Sequence, residues 1–267
     1  MNSTHPNLFC KLLTKSINIL LHPQYHKYNI ARNTCNLCNR KTIFVCDEPQ
    51  DKFIRRCIWC RSTPKYRAIF YVVEKMLGQP LANKLLNADF KVYELSTTSP
   101  IFRRFNGLPN YYASGYFPDK DFKSELIKNV FNQNLEDLSF LSSSFDLIIS
   151  SQTMEHVPNH DLAFKEIYRV LKPGGFHCFT IPYYANDNTK TRARIINGNT
   201  IHDLPQKTHK DPYCPEGCLV YTDFGRDIVD KLNNIGYITN RHEVLDDISD
   251  IQDDLKPVHV FTAQRPG

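Results

Sequence analysis

Between Phe90 and the C-terminus, short β-type runs alternate with helical segments, and this alternation constrains the fold more than any other feature. The clearest helix is His160–Leu171, whose apolar residues share one face and which Lys172-Pro173-Gly174-Gly175 ends. Such alternation is typical of an α/β fold built around a parallel sheet. The predicted strands are Phe90–Leu95, Asn110–Ser114, Asn129–Asn134, Asp146–Ser150, Phe176–Ile181, Tyr237–Val244 and Val258–Ala263.

The remaining stretches are predicted from the same patterns. Residues 1–34 are expected to form a helix, Leu8–Leu21, followed by a polar connector, and the helix is expected to pack on its own domain rather than on a membrane surface. A break at residues 78–80 splits the helical pattern of residues 64–87 into two helices. Residues 183–221 are predicted to be irregular, and a helix is predicted at Phe224–Ile235.

Two C-x-x-C pairs stand near the N-terminus. They are Cys35 with Cys38 and Cys57 with Cys60, with 18 residues between the pairs. Four thiolates at this spacing can close tetrahedrally on zinc, and in so short a segment the metal would supply folding free energy. The spacing therefore predicts a structural, zinc-ribbon-like module over residues 35–63. Two redox-active pairs are the alternative interpretation.

The net charge of +5 conceals an asymmetry along the chain. Residues 1–70 hold 12 Lys/Arg and 3 Asp/Glu, a net of +9, whereas the remainder holds 21 and 25, a net of −4. A basic patch with aromatic residues fits RNA, so RNA is one candidate partner. The residues of this patch are Arg55, Arg56, Trp59, Arg61, Lys65, Tyr66 and Arg67.

Composition limits the class of protein. Hydrophobic residues make up 41% of the chain, which is enough for a core and excludes wholesale disorder. No run of 18 or more apolar residues occurs, and the N-terminus lacks the basic region of a signal peptide. Cysteines spaced as metal ligands fit a reducing compartment. We therefore expect a cytoplasmic protein without a transmembrane segment.

One stretch, Phe145–Tyr183, carries a familiar set of landmarks. It combines an FDxI strand, a loop ending in EHV, a helix with the pattern ExxRVLKPGG, and a strand ending in proline. This stretch resembles the second half of class I S-adenosylmethionine-dependent methyltransferases of the type 11 family. The resemblance implies a Rossmann-like doubly wound sheet over residues 64–267, with S-adenosyl-L-methionine as the methyl donor.

The resemblance also implies where that cofactor is held. It places Glu94 at the end of the first strand, Ser96 in the loop after it, Gly115 at the end of the second strand, and Gln152 beside the EHV loop. Asn134 and Leu135 stand where the family contacts adenine. The chain departs from the family twice, because a Ser/Thr loop replaces the glycine-rich loop and Gly115 replaces an acid that binds ribose.

Candidate catalytic residues follow from the same comparison. Glu155 and His156 are expected at the mouth beside the cofactor, with His156 as the candidate base. His209 and Asp211 lie in a polar insertion at about residues 182–221 that is expected to bind the acceptor. Transfer to an oxygen or nitrogen of a small molecule or saccharide is favoured. An RNA methyltransferase and a catalytically reduced binding module are the alternatives. His209, Cys214 and Cys218 are also a candidate second metal site.

Overall fold

The structure is a computed structural model, and it describes residues 30–46, 55–116, 130–211, 214–245 and 257–267. The predicted helix Leu8–Leu21 lies outside the described residues. Among the helices described, none is both long and apolar enough to cross a membrane. The helices are α1 (Pro64–Leu77), α2 (Leu81–Lys84), α3 (Pro100–Phe105), α4 (His160–Val170) and α5 (Ile228–Ile235).

The sequence sets the ends of these helices. Proline occupies the first turn of α1, and the left-handed Gly78 (φ 66°) ends this helix, which confirms the predicted break before α2. In α4, the Asn159 side chain accepts a hydrogen bond from the Leu162 amide at 3.1 Å. This helix ends at Val170, close to the predicted stop.

A seven-stranded sheet forms the centre of the fold. Its order is β16-β17-β8-β7-β4-β5-β6, and all pairs are parallel except those made by β17. These strands are β4 (Val92–Glu94), β5 (Tyr111–Gly115), β6 (Val130–Asn132), β7 (Phe145–Ser151), β8 (Leu171–Thr180), β16 (Ile238–Val244) and β17 (Val258–Gln264). From β4 the chain moves outward to β6 and then returns to β7 on the other side. All seven predicted strands and the doubly wound α/β class are confirmed.

The N-terminal cysteines belong to a small antiparallel sheet. Its strands are β1 (Ile30–Cys35), β2 (Arg40–Cys46) and β3 (Arg55–Cys57), so the sheet begins ahead of residue 35. Buried Leu37 and Phe44 of this module belong to the same apolar cluster as Ile69 of α1 and Leu147 of β7. The module therefore shares one core with the main sheet, because their apolar side chains are removed from water together.

The stretch predicted to be irregular is in fact mostly paired. It contains β9 (Tyr183–Tyr184), β10 (Lys190–Thr191), the hairpin β11 (Ala193–Ile196) with β12 (Asn199–His202), and the hairpin β13 (Thr208–Asp211) with β14 (Cys214–Leu219). The prediction of an irregular segment was wrong, because these strands are short and polar and give little periodic signal. We call residues 182–221 the insertion.

The helix predicted at Phe224–Ile235 also begins later than expected. Thr222–Gly225 forms strand β15, which pairs with β9 and β10, and the helix starts at Ile228. Phe224 and Ile228 are both buried in the same apolar cluster. An apolar spacing of four residues is compatible with one helix, and it therefore concealed the boundary between strand and helix.

Gly225 is the position at which this region tolerates a side chain least. A Cβ at residue 225 would lie 2.3 Å from backbone atoms of both Asp187 and Asn188. We expect Gly225→Ala to reduce the free energy of unfolding by about 3 kcal/mol, because backbone atoms have to move. Asn234→Ala, on the exposed face of α5, is the matched control and should leave stability nearly unchanged. Urea denaturation of both variants measures this, and equal stabilities would contradict it.

Candidate functional site

The carboxyl ends of β4 and β7 mark the place where the strand order reverses. In open α/β sheets, ligands bind outside the carboxyl ends of the strands at such a reversal. Glu94 ends β4, Gly115 ends β5, and Gln152 follows β7 directly. Parallel pairing brings these predicted cofactor residues to one edge of the sheet, which we call the cofactor edge.

Glu94 is buried under the first loop of this edge. Its carboxylate accepts hydrogen bonds from the hydroxyls of Ser99 and Tyr111. Burial raises the pKa of Glu94 to about 7, while the two hydroxyls act in the opposite direction. Ser99 also accepts from the Phe102 amide at 2.8 Å at the start of α3. Both of these Glu94 contacts are with hydroxyl groups of the protein itself. One of them holds Ser99, and in this way Glu94 supports the loop of residues 95–99.

The remaining predicted cofactor residues lie around this loop. Ser96 accepts a hydrogen bond from the Thr98 amide at 3.2 Å. Gly115 pairs with Asn132 at the end of β5 and offers no side chain to a ligand. Asn134 is exposed, and its side-chain oxygen accepts from the Glu136 amide at 3.0 Å. Leu135 packs partly against the apolar cluster under α4.

Two residues that the sequence analysis assigned to an RNA-binding patch belong to the cofactor edge instead. Lys65 donates a hydrogen bond to Gln152 Oε1 at 2.8 Å. Tyr66 lies close enough to Glu94 that the negative charge of Glu94 helps to raise the Tyr66 pKa. Burial is the main cause that raises the Tyr66 pKa, to about 12. Gln152 itself has φ 54°, a strained conformation for a residue with a side chain. The sequence signal for Lys65 and Tyr66 was Pro64, which is typical of the first turn of a helix and therefore indicated that α1 begins there.

The other residues of the basic patch are dispersed. Arg67 is buried, donates to the Ser62 carbonyl at 2.6 Å, and stacks on Phe44. Arg55 is buried as well, whereas Trp59 is 58% exposed and lies 5.4 Å from the Arg40 guanidinium. Two arginines of the basic patch, Arg55 and Arg67, are therefore buried rather than exposed to a ligand.

The four cysteines of the N-terminal module come together as the spacing predicts. The sulfurs of Cys35 and Cys60 are 3.7 Å apart, and those of Cys38 and Cys57 are 3.8 Å apart. Metal–sulfur bonds of about 2.3 Å in a tetrahedron give sulfur separations of roughly 3.8 Å. The donor set and its spacing therefore fit a zinc ion.

The protonation of these thiols points the same way. A hydrogen bond from Cys60 lowers the pKa of Cys35 to about 4, and burial raises that of Cys38 to about 11. The hydrogen bond to Cys35 also raises the Cys60 pKa far above its usual range. One thiolate therefore suppresses ionisation of its neighbours, and four thiolates together require a cation.

A second group of polar side chains lies where the loop after β7 meets the insertion. Glu155 is fully buried, and its Oε1 atom lies 3.8 Å from His156 Nε2 and 3.7 Å from His209 Nδ1. Burial raises the pKa of Glu155 to about 7 and lowers that of His209. We call these three side chains the Glu-His-His centre. The structure thus brings the candidate bases Glu155 and His156 together with His209.

The insertion is attached to this loop through the backbone. The Tyr221 amide donates to the Glu155 carbonyl at 2.8 Å, and His156 Nδ1 donates to the Leu219 carbonyl at 2.7 Å. Asp211 lies on β13 opposite Cys214, and His209 lies opposite Cys218. The side chain of Cys214, part of the candidate second metal site, lies outside the described residues, and among the described side chains His209 groups with Glu155 and His156.

Comparison with known proteins shows which family a part of this chain resembles. Residues 116–179 match the family model described as a methyltransferase domain. The matched segment includes β6, β7, α4 and most of β8. This match supports the predicted resemblance to methyltransferases over part of the chain, and the sheet order confirms the predicted Rossmann-like arrangement.

The curated relatives align over short segments. The ubiquinone/menaquinone biosynthesis C-methyltransferase of Hydrogenovibrio crunogenus is 50% identical over 42 residues, 16% of this chain and 16% of that protein. The sterol 24-C-methyltransferase of Pneumocystis carinii is 30% identical over 98 residues, 36% of this chain and 26% of that protein. A solved S-adenosylmethionine-dependent methyltransferase from Mesorhizobium loti is 16% identical with a TM-score of 0.40, covering 66% of this chain and 91% of that chain.

The raised pKa of Glu94 leads to a pH-dependent stability. When the pKa of a buried acid is higher in the folded than in the unfolded protein, ionisation of that acid destabilises the fold. The free energy of unfolding therefore falls as pH rises from about 5 to about 8. The shift of the Glu94 pKa to about 7 corresponds to a loss of about 2 kcal/mol over this range. We expect this loss to be absent in Glu94→Gln, because the amide does not ionise. Denaturant unfolding of both proteins across this pH range measures it. Parallel curves would contradict the assignment.

Proposed function

We propose that this chain is an S-adenosylmethionine-dependent methyltransferase that methylates an oxygen or nitrogen of a small-molecule or saccharide acceptor. The observation that carries the proposal is the Glu-His-His centre, which is contributed jointly by the loop after β7 and by the insertion. It lies beside the edge where α/β sheets bind cofactors. The proposal thus extends the domain match to a reaction at a defined place.

The residues that would hold the cofactor form a ring around the cofactor edge. Residues 95–99, supported by Glu94, would meet its amino-acid portion, while Gly115 and Asn134 would lie along the nucleoside. Lys65 fixes Gln152 between them. When bound, S-adenosylmethionine supplies an electrophilic methyl group, so that a bond to the acceptor forms as the carbon–sulfur bond breaks and S-adenosylhomocysteine and a proton leave.

The protein's own contribution is to orient the acceptor and to receive its proton. His209 is 33% exposed, so it can reach an acceptor, and its lowered pKa keeps the imidazole neutral and able to accept a proton. His156 is held by its bond to the Leu219 carbonyl and would position the acceptor rather than move with it. Asp211 remains a predicted contributor on the same hairpin.

The charges of the insertion favour a neutral acceptor over a nucleic acid. Three of its basic residues are paired with two carboxylates, because Asp223 binds both Arg192 and Lys207. The pairs are Arg192–Asp223 at 2.5 Å, Arg194–Asp203 at 2.7 Å and Lys207–Asp223 at 2.9 Å. Phosphate recognition requires basic side chains that can face the ligand. A small molecule or saccharide is therefore the better match.

Cofactor binding tests this function directly. Titration calorimetry should show S-adenosylmethionine binding, and Gly115→Asp should tighten it by about tenfold, because a carboxylate would accept ribose hydrogen bonds. Gly115→Ala is the matched control and should give no gain. Equal affinities in all three proteins would contradict the placement of the ribose at β5. No binding at millimolar cofactor would favour a catalytically reduced binding module.

The zinc ion belongs to the same proposal. We infer that Cys35, Cys38, Cys57 and Cys60 hold one structural Zn²⁺, on the strength of their tetrahedral spacing. Arg103 donates to the Cys60 carbonyl at 2.9 Å, so the cysteine module is tied to the helix that follows the first cofactor loop. The ion would therefore stabilise the cofactor edge as well as its own module.

Native mass spectrometry measures the zinc content. We expect one zinc per chain, its loss in Cys57→Ser, and a lower melting temperature, because the module depends on metal for folding free energy. Cys178→Ser, buried in the main sheet and away from the cluster, is the control that should retain zinc. A metal-free protein that melts like wild type would refute the zinc assignment.

A further inference from the structure

Glu155 is fully buried where the loop after β7 meets the insertion. Neither of its side-chain oxygens accepts a hydrogen bond from another residue in the described part of the chain. Buried charges in proteins are normally paired, hydrogen-bonded or bound to a metal. The two nearest side-chain nitrogens, those of His156 and His209, lie 3.8 and 3.7 Å from the same oxygen. The carboxylate therefore faces a space between two imidazoles rather than a donor.

The orientation of His156 shows what it offers to this space. Its Nδ1 atom lies 2.7 Å from the Leu219 carbonyl oxygen, which can only accept a hydrogen bond. Nδ1 must therefore carry the proton, and in a neutral ring Nε2 presents a lone pair towards Glu155. A histidine that donates one ring nitrogen to a backbone carbonyl while the other faces inward is the usual arrangement of a metal ligand.

His209 reaches the same space from the insertion. The ligand atoms of the three side chains all lie within 4.8 Å of one another, and the two imidazole rings meet edge to face with their centroids 5.1 Å apart. Metal–ligand bonds of about 2.1 Å place neighbouring ligand atoms roughly 3.0–3.4 Å apart. A cation would therefore draw these atoms together by less than about 1 Å in most pairs.

Two lysines also bear on Glu155. Lys207 is already bound to Asp223 at 2.9 Å and to the Tyr184 hydroxyl at 2.8 Å. Lys65 donates to Gln152 Oε1 at 2.8 Å instead of pairing with the carboxylate. Both lysines therefore have partners other than Glu155, and its carboxylate remains available to a cation between the two imidazoles.

We propose that Glu155, His156 and His209 form a site for a divalent transition-metal ion at the acceptor end of the methyltransferase centre. Two imidazoles and one carboxylate suit such an ion and leave coordination positions open. An acceptor hydroxyl bound at one of them would lose its proton more readily, as metal-bound oxygens do. This inference rests on the proposed function and narrows the acceptor to one that offers an oxygen. With the ion bound, His209 holds the ion instead of receiving the proton itself, and the proton of the acceptor hydroxyl passes to solvent water, which the 33% exposure of His209 admits.

Binding of Mn²⁺ to the full-length chain tests the site, because carboxylate favours this ion whereas thiolates select zinc. The free Mn²⁺ electron paramagnetic resonance signal counts the bound ions. We expect one Mn²⁺ per chain, with affinity at least about tenfold weaker in Glu155→Gln and His209→Asn. His202→Asn, an exposed histidine of the same insertion, is the matched control and should bind as wild type does.

A second measurement on the wild-type protein avoids dependence on folding of the variants. Pulsed resonance of bound Mn²⁺ should show coupling to histidine nitrogen, and its absence would overturn the site. So would wild-type affinity in both ligand variants, or no Mn²⁺ binding at millimolar metal. Calorimetry with S-adenosylmethionine separates the two proposals. Cofactor binding without metal binding overturns the metal site alone, and metal binding without cofactor binding overturns the methyltransferase alone.

Discussion

Parallel pairing of β4 with both β5 and β7 is the constraint on which the rest of the structure depends. Strand β4 has only three residues, all buried, and its two neighbours run in the same direction. The carboxyl ends of all three strands must therefore lie at the same edge of the sheet. Glu94, Gly115 and Gln152 come from distant parts of the sequence and meet there because the hydrogen-bonded register leaves no other arrangement.

The N-terminal module extends that edge. Helix α1 begins directly after the cysteine module, packs in the same core, and delivers Lys65 and Tyr66 to the space beside Glu94. Arg103 then connects the Cys60 backbone to the helix after β4. The module and the sheet consequently form one cofactor-facing surface, although their sequences differ in composition and in charge.

The sequence was sufficient for the sheet but only partly so for the site. The alternation of β-type runs with helical segments predicted all seven strands of the sheet, most clearly β7, where a buried strand carries a continuous apolar run. It missed β15, because Phe224 and Ile228 have a spacing that a helix would also give. It also missed the meeting of Glu155 with His209, since that contact depends on how a polar hairpin docks. The spacing of residues along the chain does not predict how a hairpin docks. The spacing of the C-x-x-C pairs does predict that Cys35 approaches Cys60.

The insertion is attached to the loop after β7 through main-chain atoms of its own, near its C-terminal end. The Leu219 carbonyl and the Tyr221 amide would be present with almost any amino acid at those positions, apart from proline at residue 221. The exposed side chains of β12 in the insertion can therefore change while these two hydrogen bonds keep the insertion attached to the loop after β7. Exchange of such side chains could alter what binds beside His156, with the seven-stranded sheet left untouched.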